Sequence, residues 1–458
     1  MDRAPGMAKL IDLNARQAEK LPPHSDEALA LRFTQQNAEN LRYVAKWNRW
    51  FLYRDGLWVD DSTLRAFEIS RILCRETAMA LGQRTPKIAS QVASAKTAAA
   101  IVQLARADRR IAATVEQWDA DPWLLNTPGG SVDLRTGKLG PHRREDYCTK
   151  RTAITPGGGC PLWHKFLIDI FNGDVELIAF LQRAFGYALT GSIKEHALFF
   201  CYGTGANGKG VLISTVTGIM ADYAKTAPME TFTASKNERH PTDLAMLRGA
   251  RLVTAQETER GRSWAEAKIK ALTGGDVIAA RFMRQDFFEY TPQFKLMIAG
   301  NHKPGLRAVN EAIKRRINLI PFMVTIPEEK RDKQLAETLK AEWPGILAWA
   351  IEGCLNWQEI GLSPPEAVKN ATAEYLEAED AIGQWLSDKT ECDLNGWVSS
   401  ADLFHSYKAW AQEAGEPMGS EKGLVDALKE RGFKQKRQGG SGKRGFLGLR
   451  IVGLDHGH

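Results

Sequence analysis

The chain has 458 residues, 43% of them hydrophobic and 25% charged, with a formal net charge of +6; that length exceeds what one core usually serves and predicts two or three domains. No apolar run approaches the roughly 18 residues of a membrane helix, residues 1–30 lack the apolar stretch of a secretory leader, and the six cysteines include no C-x-x-C pair. Membrane-spanning, secreted and disulfide-framework classes are therefore not expected, nor is a zinc site; a cytoplasmic location is expected, and the mild positive balance permits a polyanionic partner.

Residues 1–25 read as a polar lead-in. From Asp26 to Thr152 the residues Trp47, Trp50, Phe51, Trp58, Trp118 and Trp123 stand among Arg42, Lys46, Arg49 and Arg54. Such interleaving is either a stacking platform for single-stranded nucleic acid or an aromatic core with a solvated rim. Arg54-Asp55-Gly56-Leu57-Trp58 reads as a hairpin turn, and Asn126–Gly130 and Arg135–Gly137 punctuate short strands, giving a mixed α/β N-terminal domain over residues 1–155. Its acids, among them Asp55, Asp60, Asp61, Asp119 and Asp121, form no two-metal constellation, so any priming chemistry is expected from a separate primase. Thr155–Gly159 is the strongest linker candidate.

Residues 156–365 are expected to form the central domain. Two helices are predicted within Leu162–Thr190, followed by an apolar strand, Ala197–Phe200, the sequence Gly203-Thr204-Gly205-Ala206-Asn207-Gly208-Lys209-Gly210-Val211, and a helix reaching Met220. Strand, glycine loop and helix is the arrangement that directs backbone N–H groups and a lysine at the β- and γ-phosphates of a nucleotide, here ATP with Mg²⁺. Gly210 occupies the position where the motif places a Ser or Thr hydroxyl on the metal. A second strand, Arg251–Glu259, carries Glu257 as the candidate catalytic carboxylate and metal contact, with Gln256 where an Asp is usual. Either Glu257 touches Mg²⁺ directly, or phosphate oxygens and water hold the ion; Glu259 reads as a solvated turn residue. A third strand, Phe294–Gly300, ends at Asn301, an uncharged group suited to hydrogen-bond a γ-phosphate and an attacking water. Arg315 and Arg316 precede a fourth strand that runs to Phe322 and are candidates to reach a neighbouring subunit's phosphate.

Past Ser363-Pro364-Pro365, helices are predicted over Asn370–Lys389, Ala401–Glu413 and Leu424–Arg431. A basic hairpin with its tip at Gln438–Gly442 follows, and Lys434, Lys436, Arg437, Lys443 and Arg444 are its candidate DNA contacts. Helix plus basic hairpin reads as a C-terminal winged-helix domain over residues 366–458, whose partner is duplex or forked DNA phosphate or, on the rival reading, only solvent.

The glycine loop, the strand ending at Glu257, Lys270–Asp276 with Arg281, A-G-N-H-K-P at Ala299–Pro304 and R-R-I-N-L-I-P-F at Arg315–Phe322, in this order and spacing, resemble a superfamily 3 helicase. More narrowly they are similar to the helicase part of phage and plasmid primase-helicases, a group that includes the poxvirus primase-helicase; W-x-x-Y/F, D-G-x-W and N-T-P-G-G extend the likeness into the N-terminal module. The resemblance implies an AAA+ P-loop core assembling as a homo-oligomeric ring, usually of six, that translocates on single-stranded DNA during replication. It implies Lys209 on phosphate, Glu257 as catalytic carboxylate, Asn301 as sensor, and Arg316, with Arg315 as its rival, as arginine finger. It also implies a pore hairpin between Lys270 and Lys295, where Lys270, Arg281 and Arg284 would contact DNA unless the two arginines pair instead with Asp276 and Asp286. Two rivals remain open: another P-loop enzyme such as a nucleotide kinase or terminase-like motor, and a DNA-binding assembly factor that binds nucleotide without turnover.

Overall fold

Alternating apolar residues after Asn40 fold into a small sheet in which Leu57–Asp60, Arg49–Arg54, Leu41–Val44 and Ala112–Ala113 lie side by side. Asp55 and Gly56 turn the hairpin between Arg49–Arg54 and Leu57–Asp60 with φ of +49° and +76°, the left-handed pair that a two-residue Asp-Gly turn requires. The computed structural model describes residues 21–234, 242–257, 262–306, 309–416, 418–438 and 442–452, and the chain divides into two units, Met1–Thr155 and Pro156–His458.

In the first unit, helices Asp26–Asn37, Arg65–Leu81 and Ala95–Ala105 pack on this sheet, and a three-stranded sheet of Leu124–Thr127, Gly130–Asp133 and Lys138–Gly140 follows. The aromatic cluster is core: Trp50, Phe51, Trp58 and Trp118 are all buried. Phe51 meets Trp118 at 4.4 Å between ring centroids, and Trp58 stacks on Tyr147 at 5.9 Å. Arg42 lies 5.0 Å over Trp58, and Arg144 lies 5.0 Å over Tyr53, so these guanidiniums are the rim of that core. Four of the six rings named for the stacking reading are thus turned inward, while Trp47 and Trp123 are half-buried.

The second unit is built on a five-stranded parallel sheet of β1 (Leu198–Tyr202), β2 (Ala224–Thr226), β3 (Leu252–Glu257), β4 (Lys295–Gly300) and β5 (Ile317–Pro321), in the order β5-β1-β4-β3-β2. β4 is buried along its whole length, which explains its nearly continuous apolar run: helices cover both faces of such a sheet. Its one charged residue, Lys295, donates to the carbonyls of Thr190, Ser192 and Gln293 and lies 4.8 Å from the Tyr187 ring, tying the end of helix Val175–Leu189 to the sheet. Burial pulls its pKa well down, yet three carbonyl acceptors require a full set of ammonium donors.

The expected helix over Asn370–Lys389 is two helices, Glu366–Ala378 and Ala381–Lys389. The first belongs to the parallel sheet: Ala371, Tyr375 and Leu376 join its core, and Thr372 Oγ1 accepts from Leu319 N at 3.0 Å. The prolines at 364 and 365 therefore start a helix, while the next core begins only beyond Glu379. That core gathers Trp385, Leu403, Leu428 and Phe446 beneath helices Ala381–Lys389, Ser400–Ala414 and Glu421–Glu430 and an antiparallel sheet ordered Thr390–Ser399, Arg444–Ile451, Gln435–Arg437. Among the described residues no helix is long and apolar enough to cross a membrane.

Candidate functional site

β1 ends at Tyr202 and helix α1 (Lys209–Met220) begins seven residues later, leaving a loop whose backbone is left-handed at Gly203, Gly205, Ala206 and Gly208. A side chain at Gly203 would run into the carbonyl of Phe322, and one at Gly208 would come within 2.7 Å of Ile170 Cγ2, so both positions require glycine. No side chain caps α1, whose first N–H groups are thus left to a ligand or solvent. Lys209 is 7% exposed, and its ammonium donates to Gly203 O at 2.6 Å, Asn207 Oδ1 at 3.1 Å and Asn301 Oδ1 at 3.4 Å. Burial lowers its pKa.

Parallel pairing sets Tyr202, Gly300 and Glu257 in one row across β1, β4 and β3. Glu257 closes β3 at the same edge, and Asn301, one residue beyond the row, is brought to Lys209. Glu259 lies outside the described residues. Gly210 is exposed with open space where a side chain would stand, and among the described residues no group of three or more His, Cys, Asp or Glu could hold a metal.

Three features here escaped the sequence reading. Asn207 is a brace: its amide donates to Phe322 O at 3.1 Å while its oxygen receives Lys209. The segment after β5 straps the loop, with Ile326 N donating to Ala206 O at 2.8 Å. Lys303 lies 4.3 Å over the Tyr202 ring, its pKa lowered by burial against the opposing pull of Glu374 and Glu379. Only the N-H-K-P signature hinted at Lys303, and nothing in sequence marked the strap.

Arg316 is 6% exposed; its Nε donates to Thr273 Oγ1 at 3.1 Å and its Nη1 to Ala312 O at 2.6 Å. Burial, then the neighbouring Arg315, lowers its pKa. Arg315 is exposed. Both precede Ile317, which pairs with Leu198 at the start of β1, so they sit at the sheet edge opposite the glycine loop, roughly 13 Å of strand away.

The predicted central hairpin is present as Ile278–Ala280 paired with Phe288–Tyr290. Arg284 is exposed at its tip with φ of +60°, and Arg281 stacks 4.6 Å over Phe287 rather than pairing with Asp276 or Asp286. Met283 and Phe287 are 70% and 59% exposed beside them. Lys270 lies half-buried on helix Glu266–Gly274. In the terminal hairpin Lys434, Lys436, Arg437, Lys443 and Arg444 are all exposed, whereas Arg431 and Arg450 are engaged by Asp380 and Glu391. Residues 439–441 of the expected tip lie outside the described residues.

Residues 30–172 match the family described as D5 N terminal like. Beyond this D5-N-terminal-like segment, residues 201–316, which hold the glycine loop and both arginines, match a family of unknown function, DUF5906. The chain is similar to "Putative helicase 022R" of Frog virus 3 (isolate Goorha), 23% identical over 278 residues that cover 56% of this chain and 28% of the viral protein. It is likewise similar to "Putative helicase 184R" of Invertebrate iridescent virus 6, 23% identical over 339 residues covering 64% and 35%. The chain thus spans about a third or less of the length of these relatives. Among solved structures it resembles "The apo structure of NrS-1 C terminal region (305-718)", at 11% identity and a TM-score of 0.49, covering 89% of this chain and 95% of that one.

Proposed function

We propose that the chain is an ATP-dependent DNA helicase motor of superfamily 3, AAA+ type, serving the replication of a phage, plasmid or other mobile element. One observation carries the reading: the buried ammonium of Lys209 joins the glycine loop to Asn301 at the edge where β3 ends in Glu257. Ligands of open α/β sheets bind at the carboxyl ends of strands where connections diverge, and β1, between β4 and β5, is such a point.

Lys209 exchanges its loop carbonyl for phosphate oxygens, and the uncapped N–H groups of α1 receive the same anion. Asn301, released from Lys209, hydrogen-bonds the γ-phosphate, and Glu257 orients and deprotonates the attacking water. Bound Mg²⁺ supplies neutralisation of the phosphate oxygens. Gly210 brings no hydroxyl and Gln256 no carboxylate, so Glu257 is the residue that would hold the ion. Because Arg315 and Arg316 lie at the far edge of their own sheet, either one serves only a site on another copy, which favours a ring; Arg315, being exposed, is the better placed. The central hairpin with Arg281 and Arg284, together with Lys270 on the helix before it, faces single-stranded DNA, and the C-terminal core around Trp385 and Phe446 serves as a winged-helix domain at the fork.

The missing hydroxyl supports a second reading, an assembly factor that binds nucleotide and turns it over slowly or not at all. ATP hydrolysis measured with and without single-stranded DNA separates the two. DNA-stimulated turnover that is lost in Lys209→Ala and in Glu257→Gln, the latter still binding ATP, supports the motor; nucleotide binding without turnover supports the assembly factor.

A further inference from the structure

Residues 65–110 hold nine Arg and Lys against three acids, Glu68, Glu76 and Asp108, a surplus that equals the formal +6 of the whole chain, so everything outside this stretch is neutral on balance. Two of the acids are used locally, Glu68 by Arg65 and Asp108 by Arg110. Arg71, Arg75, Arg84, Lys87, Lys96 and Arg109 are exposed and make no ion pair among the described residues. The charge is also one-sided. Helices Arg65–Leu81 and Ala95–Ala105 cover one face of the four-stranded sheet, burying Leu73, Cys74, Ile101 and Val102 with Tyr43 and Trp50. The other face is closed by Trp118 and Tyr147, and the stretch that carries them, residues 115–147, has six acids to four Arg and Lys.

Contacts inside the helical layer bring these cations onto one surface. Arg71 and Arg75 stand one turn apart on helix Arg65–Leu81, turned away from its buried Ala66, Ser70, Leu73 and Thr77. Ser70 Oγ lies 3.1 Å from Ala98 O, which sets the first turn of helix Ala95–Ala105, and Lys96 with it, against the same stretch. Thr97 Oγ1 donates to Gln91 O at 3.1 Å and joins that turn to the end of helix Pro86–Val92, whose first turn holds Lys87. Lys96 and Lys87 both lie opposite the buried sides of their helices, so they face outward with the two arginines. Phe67 is the one aromatic residue from 65 to 110, and it packs on the core. A surface of guanidinium and ammonium groups with no ring to stack a base is the chemistry that holds a phosphate backbone, and a duplex in preference to a single strand.

We propose that the N-terminal unit binds duplex DNA, without sequence preference, through the outer surface of helices Arg65–Leu81, Pro86–Val92 and Ala95–Ala105. This rests on the reading of the chain as a DNA motor. The test uses the full chain, a fluorescein-labelled blunt duplex of about 20 base pairs and a single strand of the same length, each titrated over a range of salt. The combined variant Arg71→Gln, Arg75→Gln and Lys96→Gln is expected to flatten the dependence of log K on log salt for the duplex by about 2.7, three contacts at about 0.9 each. The single strand should lose about 0.7 or less, the worth of one contact. Arg71→Lys combined with Arg75→Lys should keep the parental slope, because phosphate contact of this kind needs charge alone, and so should Lys138→Gln in the stretch that closes the other face. An unchanged duplex slope in the combined variant, or an equal loss on both probes, would overturn the proposal. Competition by poly-glutamate that matches unlabelled duplex at equal charge would also overturn it and assign the surface to an acidic protein. ATP hydrolysis by the parent chain with and without single-stranded DNA reports separately on the motor reading: stimulation keeps that reading whatever the duplex result, and its absence removes it.

Discussion

At Lys209 an ammonium taken out of water is retained because three oxygens satisfy its donors, and an incoming phosphate can replace them without leaving the charge bare. Lys209→Ala is therefore expected to abolish measurable ATP binding by calorimetry. The sign of its pH dependence follows from burial: a depressed lysine pKa means that affinity, full at neutral pH, declines as pH rises through a value below the ordinary lysine range. Asn207→Ala frees both Phe322 O and one donor of Lys209, and is expected to raise KM for ATP more than it lowers kcat, since it acts on the loop's shape. Lys295 is the opposite kind of buried cation, with no ligand to greet. Lys295→Met strands three carbonyls and should destabilise the chain by about 2 kcal/mol or more, read as a fall in midpoint in urea, with the second unit unfolding first.

At the scale of elements, two glycines two residues apart at the start of α1, Gly208 just before it and Gly210 in its first turn, have contrary requirements. Gly208 has φ of +83° and abuts Ile170, so Gly208→Ala should cost about 1 kcal/mol or more and slow turnover. Gly210 sits in the first helical turn with open space around it, and Gly210→Ser is expected to leave stability unchanged or raised by a few tenths of a kcal/mol. It should also lower the Mg²⁺ concentration for half-maximal ATPase, because the hydroxyl stands at the head of the phosphate cradle. An unchanged Mg²⁺ dependence would mean that phosphate and water already complete the metal's shell. The terminal hairpin should be probed by single substitutions, since deleting residues 424–458 would remove Leu424, Leu428, Phe446 and Leu449 from the core they share with Trp385.

For the whole molecule, the separation of the arginines from the loop across the sheet makes an in-trans test decisive. Lys209→Ala and Arg315→Ala are each expected to be inactive, and mixing them under conditions of subunit exchange should restore ATPase at interfaces that pair an intact loop with an intact arginine. If Arg316→Ala complements Lys209→Ala and Arg315→Ala keeps parental activity, Arg316 must leave Thr273 and Ala312 on assembly. If no mixture recovers although mixed oligomers form, the ring reading falls.

Local sequence determined much of this protein by itself. The glycines at 203 and 208, the apolar runs of β1 and β4 and the Asp-Gly hairpin at 55–56 each encode backbone conformation or burial within a few residues, which is why loop, strands and turns stand where residue pattern places them. Which face a side chain turns to is set by partners far along the chain, and pattern is silent on it. Trp50 became core because Phe33 and Tyr43 pack on it, and Trp58 because Trp118 and Tyr147 do. Arg316 is buried and Arg315 exposed because Thr273 supplies a hydroxyl 43 residues away. Helix Glu366–Ala378 joined the parallel sheet because β5 offered it an apolar face, across a composition break that suggested a new domain. In each case the energy that decides is burial or hydrogen bonding between distant segments, and it exists only once the chain has folded.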